Sequence, residues 1–455
     1  CGVFRRRSSR GRALSDVFPG RWAQLAIGLL ALGAGLVVLR HVGWGVDHTP
    51  TGEPIGLDRF DPARVDADRA YRRGLWASAT VGLVVPATVA MLVALTGSRW
   101  RPVVVRRSGA RPGRAGAIAG AGAAVVLSVV ALPVALARFL WARSHGVVHQ
   151  PVGAWLVDRG WSLLIVLVVF SGLGLLVTLL LARWARAWWV AFAGVVCAFA
   201  LVSVLASPVV ITPLFSSSTP VPAGPLRTDI ESLAARAGVP VGDVRVSDAS
   251  TRTRAANAAV MGVGATRRIV LDDTLLSGFT PREVRVVVAH ELGHVRDHHV
   301  LKGVLWPLVL ALPLAWLARL VVVWRTGTEP VREGAAGCDL ALRRLSIVAV
   351  EVALIVLIAT PLANAVSRSF ERQADLRALE WTGDPSAAVG VQHRLVALAR
   401  ADPDPPVWVR VLFGTHPSAV ERVALARAWE TARDGPPRTR SPDPDHLRRR
   451  VAGSP

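Results

Sequence analysis

The chain has 455 residues, is 52% hydrophobic with a mean hydropathy of +0.42, and carries a formal net charge of +21. That apolarity excludes an ordinary soluble globule, and three cysteines with no C-x-x-C pair exclude a disulfide framework or a thiolate metal site. The basicity is nearly all arginine (Lys302 is the one lysine). It lies between apolar runs and in the tail, as in membrane proteins, so no nucleic-acid partner is expected.

Taken in order, residues 1–21 form a basic N-terminal segment. Its first residue, Cys1, reads either as a lipidated mature end or as a truncated start. Apolar runs long enough to cross a bilayer follow at Trp22–Leu39, Leu75–Leu95, Ala115–Ala137, Trp161–Ala182 and Trp188–Ile211, so five spans with their loops occupy 22–211. The third is rich in Gly and Ala, which suits close helix packing. A polar segment, 212–299, reads as a helix over Leu226–Ala237 and short strands at Val244–Val246 and Arg268–Leu271. Two more spans, Gly303–Trp324 and Leu345–Val366, lie within 300–366; a second polar segment fills 367–433, and 434–455 is too rich in Pro and Arg to bury, so disorder is expected there. Glu351 and Arg319 fall inside apolar spans, where a charge serves either function or structural pairing.

Loop charge bears on orientation. Six arginines precede or open the first span and six more lie in Thr96–Arg114 with no acid, whereas Asp47–Arg73 balances five arginines with six acids. This puts the N-terminus in the cytoplasm and, after the first five of seven spans, the 212–299 segment outside.

The stretch His290-Glu291-Leu292-Gly293-His294 carries the chemistry. Histidines four apart share one helix face, so both imidazoles can hold one metal ion while Glu291 acts on water beside it, the H-E-x-x-H pattern of zinc peptidases. The helix has a full set of start signals: Thr280 at the N-cap, Pro281 in the first turn, Glu283 to complete a capping box, and Phe279 with Val284 as a hydrophobic staple. Its valine run predicts burial, where an uncompensated His-Glu-His cluster would be costly. The bland alternative is a pair of core histidines beside an incidental Glu. Glu371 is the best candidate for a third ligand, and Asp375, four residues on, could accept a hydrogen bond from a ligand histidine. That helix should stop near Gly383-Asp384-Pro385. Pro417 would start another with His416 at its cap, exposed and aimable or simply capping.

With His290–His294, Glu371–Asp375 and Thr415-His416-Pro417-Ser418 in that order and spans between them, the chain resembles membrane zinc peptidases of the CAAX prenyl protease type, the Ste24-like branch of peptidase family M48. Pro213-Leu214-Phe215, Asp248-Ala249-Ser250, Asn257-Ala258, Arg267–Leu275 and Phe60–Tyr71 agree with that branch, and the likeness covers about residues 45–430. The resemblance implies a mainly α, polytopic fold of about seven transmembrane helices enclosing a chamber, with a zincin-like α+β soluble portion. It implies Zn2+ on His290, His294 and Glu371, Glu291 as general base, and His416 and Arg422 polarising the scissile carbonyl. It also implies His299 and Asp375 behind the ligands and a substrate-pairing strand at Asn257, Ala258, Ala259 and Val260. Departures are Ala259, where an aromatic is usual, the polar Asp297-His298-His299, with His298 incidental, and a loop at Ser144–Val148 without the usual acidic and aromatic residues.

The expected function is a multi-pass cell-membrane zinc metalloendopeptidase with CAAX-type C-terminal processing. Its partners would be a peptide or protein substrate and the lipid bilayer, with no obligate protein partner. Rivals are membrane-protein quality control and, from another class, a peptidase-like sensor or non-catalytic scaffold. The side of the membrane stays open, because the eukaryotic relatives imply a cytosolic site.

Overall fold

Apolar runs in a membrane must satisfy their backbone internally, and here they do so as helices. The structure, a computed structural model, describes residues 21–41, 57, 60–262 and 264–434. The helices α1 (Arg21–His41), α2 (Pro62–Leu95), α3 (Gly97–Arg107), α4 (Pro112–Ser144), α5 (Val152–Arg183) and α6 (Trp188–Ala206) follow one another, and a π-helical turn leads into the short α7 (Thr212–Phe215). The polar segment holds β1 (Ser218–Pro220), α8 (Pro225–Arg236), β2 (Asp243–Ser247), β3 (Ala258–Met261), β4 (Arg268–Asp272), α9 (Asp273–Gly278) and α10 (Pro281–Arg296). Then come α11 (His299–Thr326), α12 (Ala335–Thr382), α13 (Pro385–Ala399), α14 (Val407–Phe413) and α15 (Ala419–Asp434). Among the described residues, α2, α4, α5, α6, α11 and α12 are long and apolar enough to cross a membrane. The expected first span is α1, whose apolar stretch Gln24–Val37 lies on α11, where the Trp316 indole donates to the Gln24 carbonyl at 3.1 Å. The expected disorder beyond Asp434 and the readings of Cys1 and the basic N-terminus fall outside the described residues.

Two helices overrun their apolar runs. The second expected span begins at Leu75, yet α2 starts at Pro62, capped by Asp61, which accepts from the Ala63 N–H at 3.1 Å. Its added turns dock on the turn after α13: Arg400 meets Asp68 at 2.9 Å, Arg69 meets Asp402 at 3.3 Å, and Arg72 donates to the carbonyls of Arg400 and Ala399. The Phe60–Tyr71 stretch is therefore a strut more than a loop. Likewise, α12 continues past Val366 to Thr382 and stops at Gly383 in the left-handed region (φ +63°). The last span and the head of the C-terminal polar segment are one helix, because polarity ends an apolar run without breaking hydrogen-bonded turns. The pair Arg101–Asp339, at 2.8 Å, holds the arginine-rich α3 against the opposite end of that helix.

The soluble sheet runs β1-β2-β4-β3, with β2 and β4 parallel and β3 antiparallel on the outer edge. Both expected strands are present. Val244, Ile269 and Leu271 are fully buried against Val288, Ala289 and Leu292 of α10, so the valine run packs the metal-motif helix onto the sheet. Of the two intramembrane charges, Glu351 keeps both carboxylate oxygens buried without a partner, and Arg319 lies over the Trp316 ring at 5.0 Å.

Glycines set the α4–α5 contact. A Cβ on Gly120 would stand 2.0 Å from the Phe170 carbonyl oxygen, and Gly116 and Gly174 would each strike the other's carbonyl oxygen at 2.2 Å. Backbones meet there, as in small-residue membrane packing. Gly120→Leu is expected to force the helices apart and cost on the order of 1–3 kcal/mol; a melting temperature in detergent equal to that of the parent would contradict this.

Candidate metal centre and active site

The helix that begins the site starts as its sequence indicates. The Thr280 hydroxyl and Glu283 carboxylate form a reciprocal capping box, and Phe279 and Val284 are both buried beside it. Arg394 from α13 adds a 2.8 Å ion pair to Glu283. Two and a half turns on, α10 turns His290 and His294 to one face, their Nε2 atoms 3.1 Å apart.

The third group arrives from α12. Glu371 Oε2 lies 3.2 Å from His290 Nε2, and Oε1 lies 3.4 Å from His294 Nε2. One ligand atom from each residue falls within a 4.8 Å cluster. The approach is possible because residue 293 is glycine: a Cβ there would meet Ala374 Cα and Arg377 Cβ of α12 at 3.1 Å each. Ion pairing of Arg377 to both oxygens of Asp297 fastens the helices below the contact, which explains the polar Asp297. His298 takes φ +56° in the α10–α11 turn, a structural place for a residue read as incidental.

Behind the ligands, hydrogen bonds fix which nitrogen points inward. Asp375 Oδ1 lies 2.8 Å from His290 Nδ1, so the Nδ1–H donates to the carboxylate and Nε2 is left as the lone-pair donor. His294 Nδ1 lies 3.0 Å from His299 Nδ1, and His299 Nε2 lies 3.1 Å from Gln373 Oε1. Gln373 can only accept at that oxygen, so His299 Nε2 carries hydrogen, its Nδ1 accepts from His294, and His294 Nε2 is free for a cation. His299 is buried, stacked on Phe370 with centroids 4.5 Å apart. Its expected place behind the ligands holds; Gln373 was missed, since a neutral amide two residues from Glu371 gives no signal.

Arg422 occupies a different post from the one expected. Its Nε donates to Asp375 Oδ2 at 2.8 Å and its Nη2 to Oδ1, so the guanidinium holds Asp375 rather than pointing first at a substrate carbonyl. His416 is held at the cleft by α12. The orphan C-terminal carbonyls of α14 accept from Asn364 and Arg368, which hang the Gly414–His416 turn over Glu371. His416 Nε2 stands 3.4 Å from Glu371 Oε2 with its side chain 59% exposed. Thr415 Oγ1 lies 2.9 Å from Nδ1; with the hydroxyl donating, Nε2 is the N–H that faces the cleft. His416 is not a helix cap, because Ser418 and Glu421 form their own reciprocal cap on α15.

The electrostatics favour positive charge at the cluster. Burial alone would push His290 down, but Asp375 and Glu371 outweigh it and lift it to about 10. Glu371 Oε2 is buried with no hydrogen bond of its own. Glu291 is pushed above the usual carboxylate range, chiefly by burial and with help from Glu371, against the pull of both histidines. It faces a cleft of about 640 Å³ together with His290, Asp375, His416 and Arg422. Asn257 and Ala258 line the same cleft at the head of edge strand β3, and Ala259 and Val260 continue that strand.

Known proteins carry the same parts. The model of peptidase family M48 matches residues 220–430, and that of the CAAX prenyl protease N-terminal region, five membrane helices, matches 65–217. An uncharacterized metalloprotease, YhfN, of Bacillus subtilis (strain 168) is 30% identical over 312 residues, 68% of this chain and 72% of the relative. The chain belongs to peptidase family M48. A CAAX prenyl protease 1 homolog of Oryza sativa subsp. japonica is 34% identical over 242 residues, and the chain spans 54% of that relative's length. The crystal structure of S. mikatae Ste24p shares the fold at a TM-score of 0.66, with 19% identity over 90% of this chain and 99% of that one. This M48 member is thus a multi-pass membrane metallopeptidase with a Ste24-like fold. Its substrate class is peptide or protein.

Gly293 is then a spacing device. Gly293→Val is expected to push α12 outward and lower metal affinity by about tenfold with every ligand intact. Metal content after dialysis against a graded chelator checks this, and parent-like retention would refute it.

Proposed function

We propose that the chain is a zinc endopeptidase that cuts extended, apolar peptide segments at the membrane surface, with CAAX-type C-terminal processing as its model substrate class. The observation that carries this reading is the convergence of His290, His294 and Glu371 with Glu291 beside them on one cleft wall. Two imidazoles and a carboxylate suit zinc, and the hydrogen-bond-free Glu371 Oε2 fits a cation between the three groups. Zinc in that position supplies Lewis acidity, acidifying water and polarising a carbonyl.

The chain's own residues supply the rest. Glu291, half-buried and with its affinity for protons raised, takes the proton of the attacking water and delivers it to the leaving amine. His416 offers its Nε2–H, oriented by Thr415, to the oxygen that gains charge. Arg422 acts through Asp375, holding His290 in the ligating tautomer. The free edge of β3 offers backbone groups to an extended peptide, which reads main chain whatever its side chains. The CAAX prenyl protease names of the rice and yeast relatives support the substrate class, and the apolar helices support a membrane location, for which the cell membrane is our reading. With the general base, both tautomer-fixing relays and the cleft in place, nothing favours a sensor or scaffold.

Glu291→Gln is expected to keep stoichiometric zinc and lose turnover by about 10²–10⁴-fold, while Glu371→Ala loses the zinc as well; zinc analysis beside cleavage of a fluorogenic apolar peptide reads both. A Glu291→Gln enzyme as fast as the parent sinks the assignment. Gln373→Leu removes the acceptor for His299, along with a long 3.5 Å bond to Ser369, and is expected to weaken zinc binding about 10–100-fold. A zinc titration curve superimposable on the parent's would remove Gln373 from the site.

A further inference from the structure

We propose that Arg138 anchors the C-terminal carboxylate of the bound peptide, making it a specificity-determining residue; this rests on the peptidase reading above. Arg138 lies near the end of α4 and lines two spaces at once, the catalytic cleft and an apolar cavity of about 900 Å³ between α2, α4 and α5.

Four arginines line the cleft, and three have their donors engaged. Arg72 donates Nε and Nη2 to the carbonyls of Arg400 and Ala399 at 2.9 and 2.7 Å. Arg410 pairs with Glu421, and Arg422 holds Asp375. Arg138 makes no hydrogen bond or ion pair with any described residue, and its side chain is exposed. A guanidinium fork without a protein counter-charge beside a reaction site is open to a carboxylate.

The direction of the edge strand says which anion. Since β4 occupies one side of β3, the other is open. A peptide pairing antiparallel with β3 runs its C-terminal end past Asn257 toward Ala256 and Ala255, which line the cleft with Arg138. The next residues, Arg252 and Thr253, meet Arg138 around the apolar cavity, and Thr253 forms a bridge to Val148 of the loop after α4. The peptide's carboxylate end therefore heads for Arg138, the arginine shared by cleft and cavity, and the last apolar side chains head for the apolar cavity; of the other cavity arginines, Arg252 pairs with Asp158 and Arg159 lies over the Trp155 ring. An enzyme built this way prefers a free C-terminus within a few residues of the cut.

The test uses full-length, zinc-loaded Glu291→Gln protein in uncharged-lipid nanodiscs and a fluorescein-labelled octapeptide ending in three apolar residues, made as the free acid and as the C-terminal amide. Anisotropy titrations are expected to show the acid binding at least about tenfold more tightly than the amide. Adding Arg138→Gln should bring that ratio close to one, and adding Arg138→Lys should leave an intermediate ratio, because charge remains without the fork. A ratio near one before Arg138 is changed overturns the proposal, as does a ratio that Arg138→Gln leaves intact. A preference that appears only in anionic-lipid nanodiscs assigns Arg138 to a headgroup and also overturns it. Failure of the peptidase reading shows separately, as absence of cleavage of either peptide by the parent enzyme.

Discussion

The close contact of α10 with α12 is the constraint on which the site depends. With no side chain at residue 293, Ala374 can approach the α10 backbone, and one helix then delivers Glu371 and Asp375 to the two sides of His290. The carboxylates divide the work by position. Glu371 faces the cation position, and Asp375, one turn on, faces the ring nitrogen that must keep its proton. Shift α12 by about a methyl group, and both relationships fail together, because they share one rigid rod.

That rod also organises the opposite wall. Asn364 and Arg368, two turns and one turn before Glu371, hold the end of α14 and so place His416. The helix therefore sets Glu371, the carboxylate that orients His290, and the height of His416. Its other end lies among the membrane helices, so the cleft is coupled to the bundle by one continuous helix. The α2 strut completes the frame from the other side, through Asp68–Arg400 and Arg69–Asp402, both with buried carboxylates. The loop-borne His416 is held here by helix-borne clamps, which fix it relative to the cleft wall.

The charge pattern follows from the same geometry. Burial should depress a histidine and raise a carboxylate, and Glu291 obeys this. His290 does not, because two carboxylates face it. The site thus separates a basic carboxylate from a set of groups that demand a cation, and acid–base work beside a metal requires that division. Arg422 keeps Asp375 ionised so that the division holds.

Much of this was legible in the residues alone. Helical periodicity determined that His290 and His294 share a face, and Thr280, Pro281 and Glu283 determined where their helix starts, because caps and i,i+4 spacing are local. Apolar length located six helices able to span, and the Glu371-Asp375 spacing put both carboxylates on one helix face. What sequence could not decide was where α2 begins and α12 ends, since polarity change and helix termination are different physical events. Nor could it decide that Arg422 serves Asp375, that Gln373 anchors His299, or that Arg138 alone among the cleft arginines is unengaged. Those are facts of which donor reaches which acceptor across tens or hundreds of residues. Only the packed tertiary structure, with α12 against α10 and α4 beside the edge strand, settles them, because a hydrogen bond is fixed by distance and angle and not by composition.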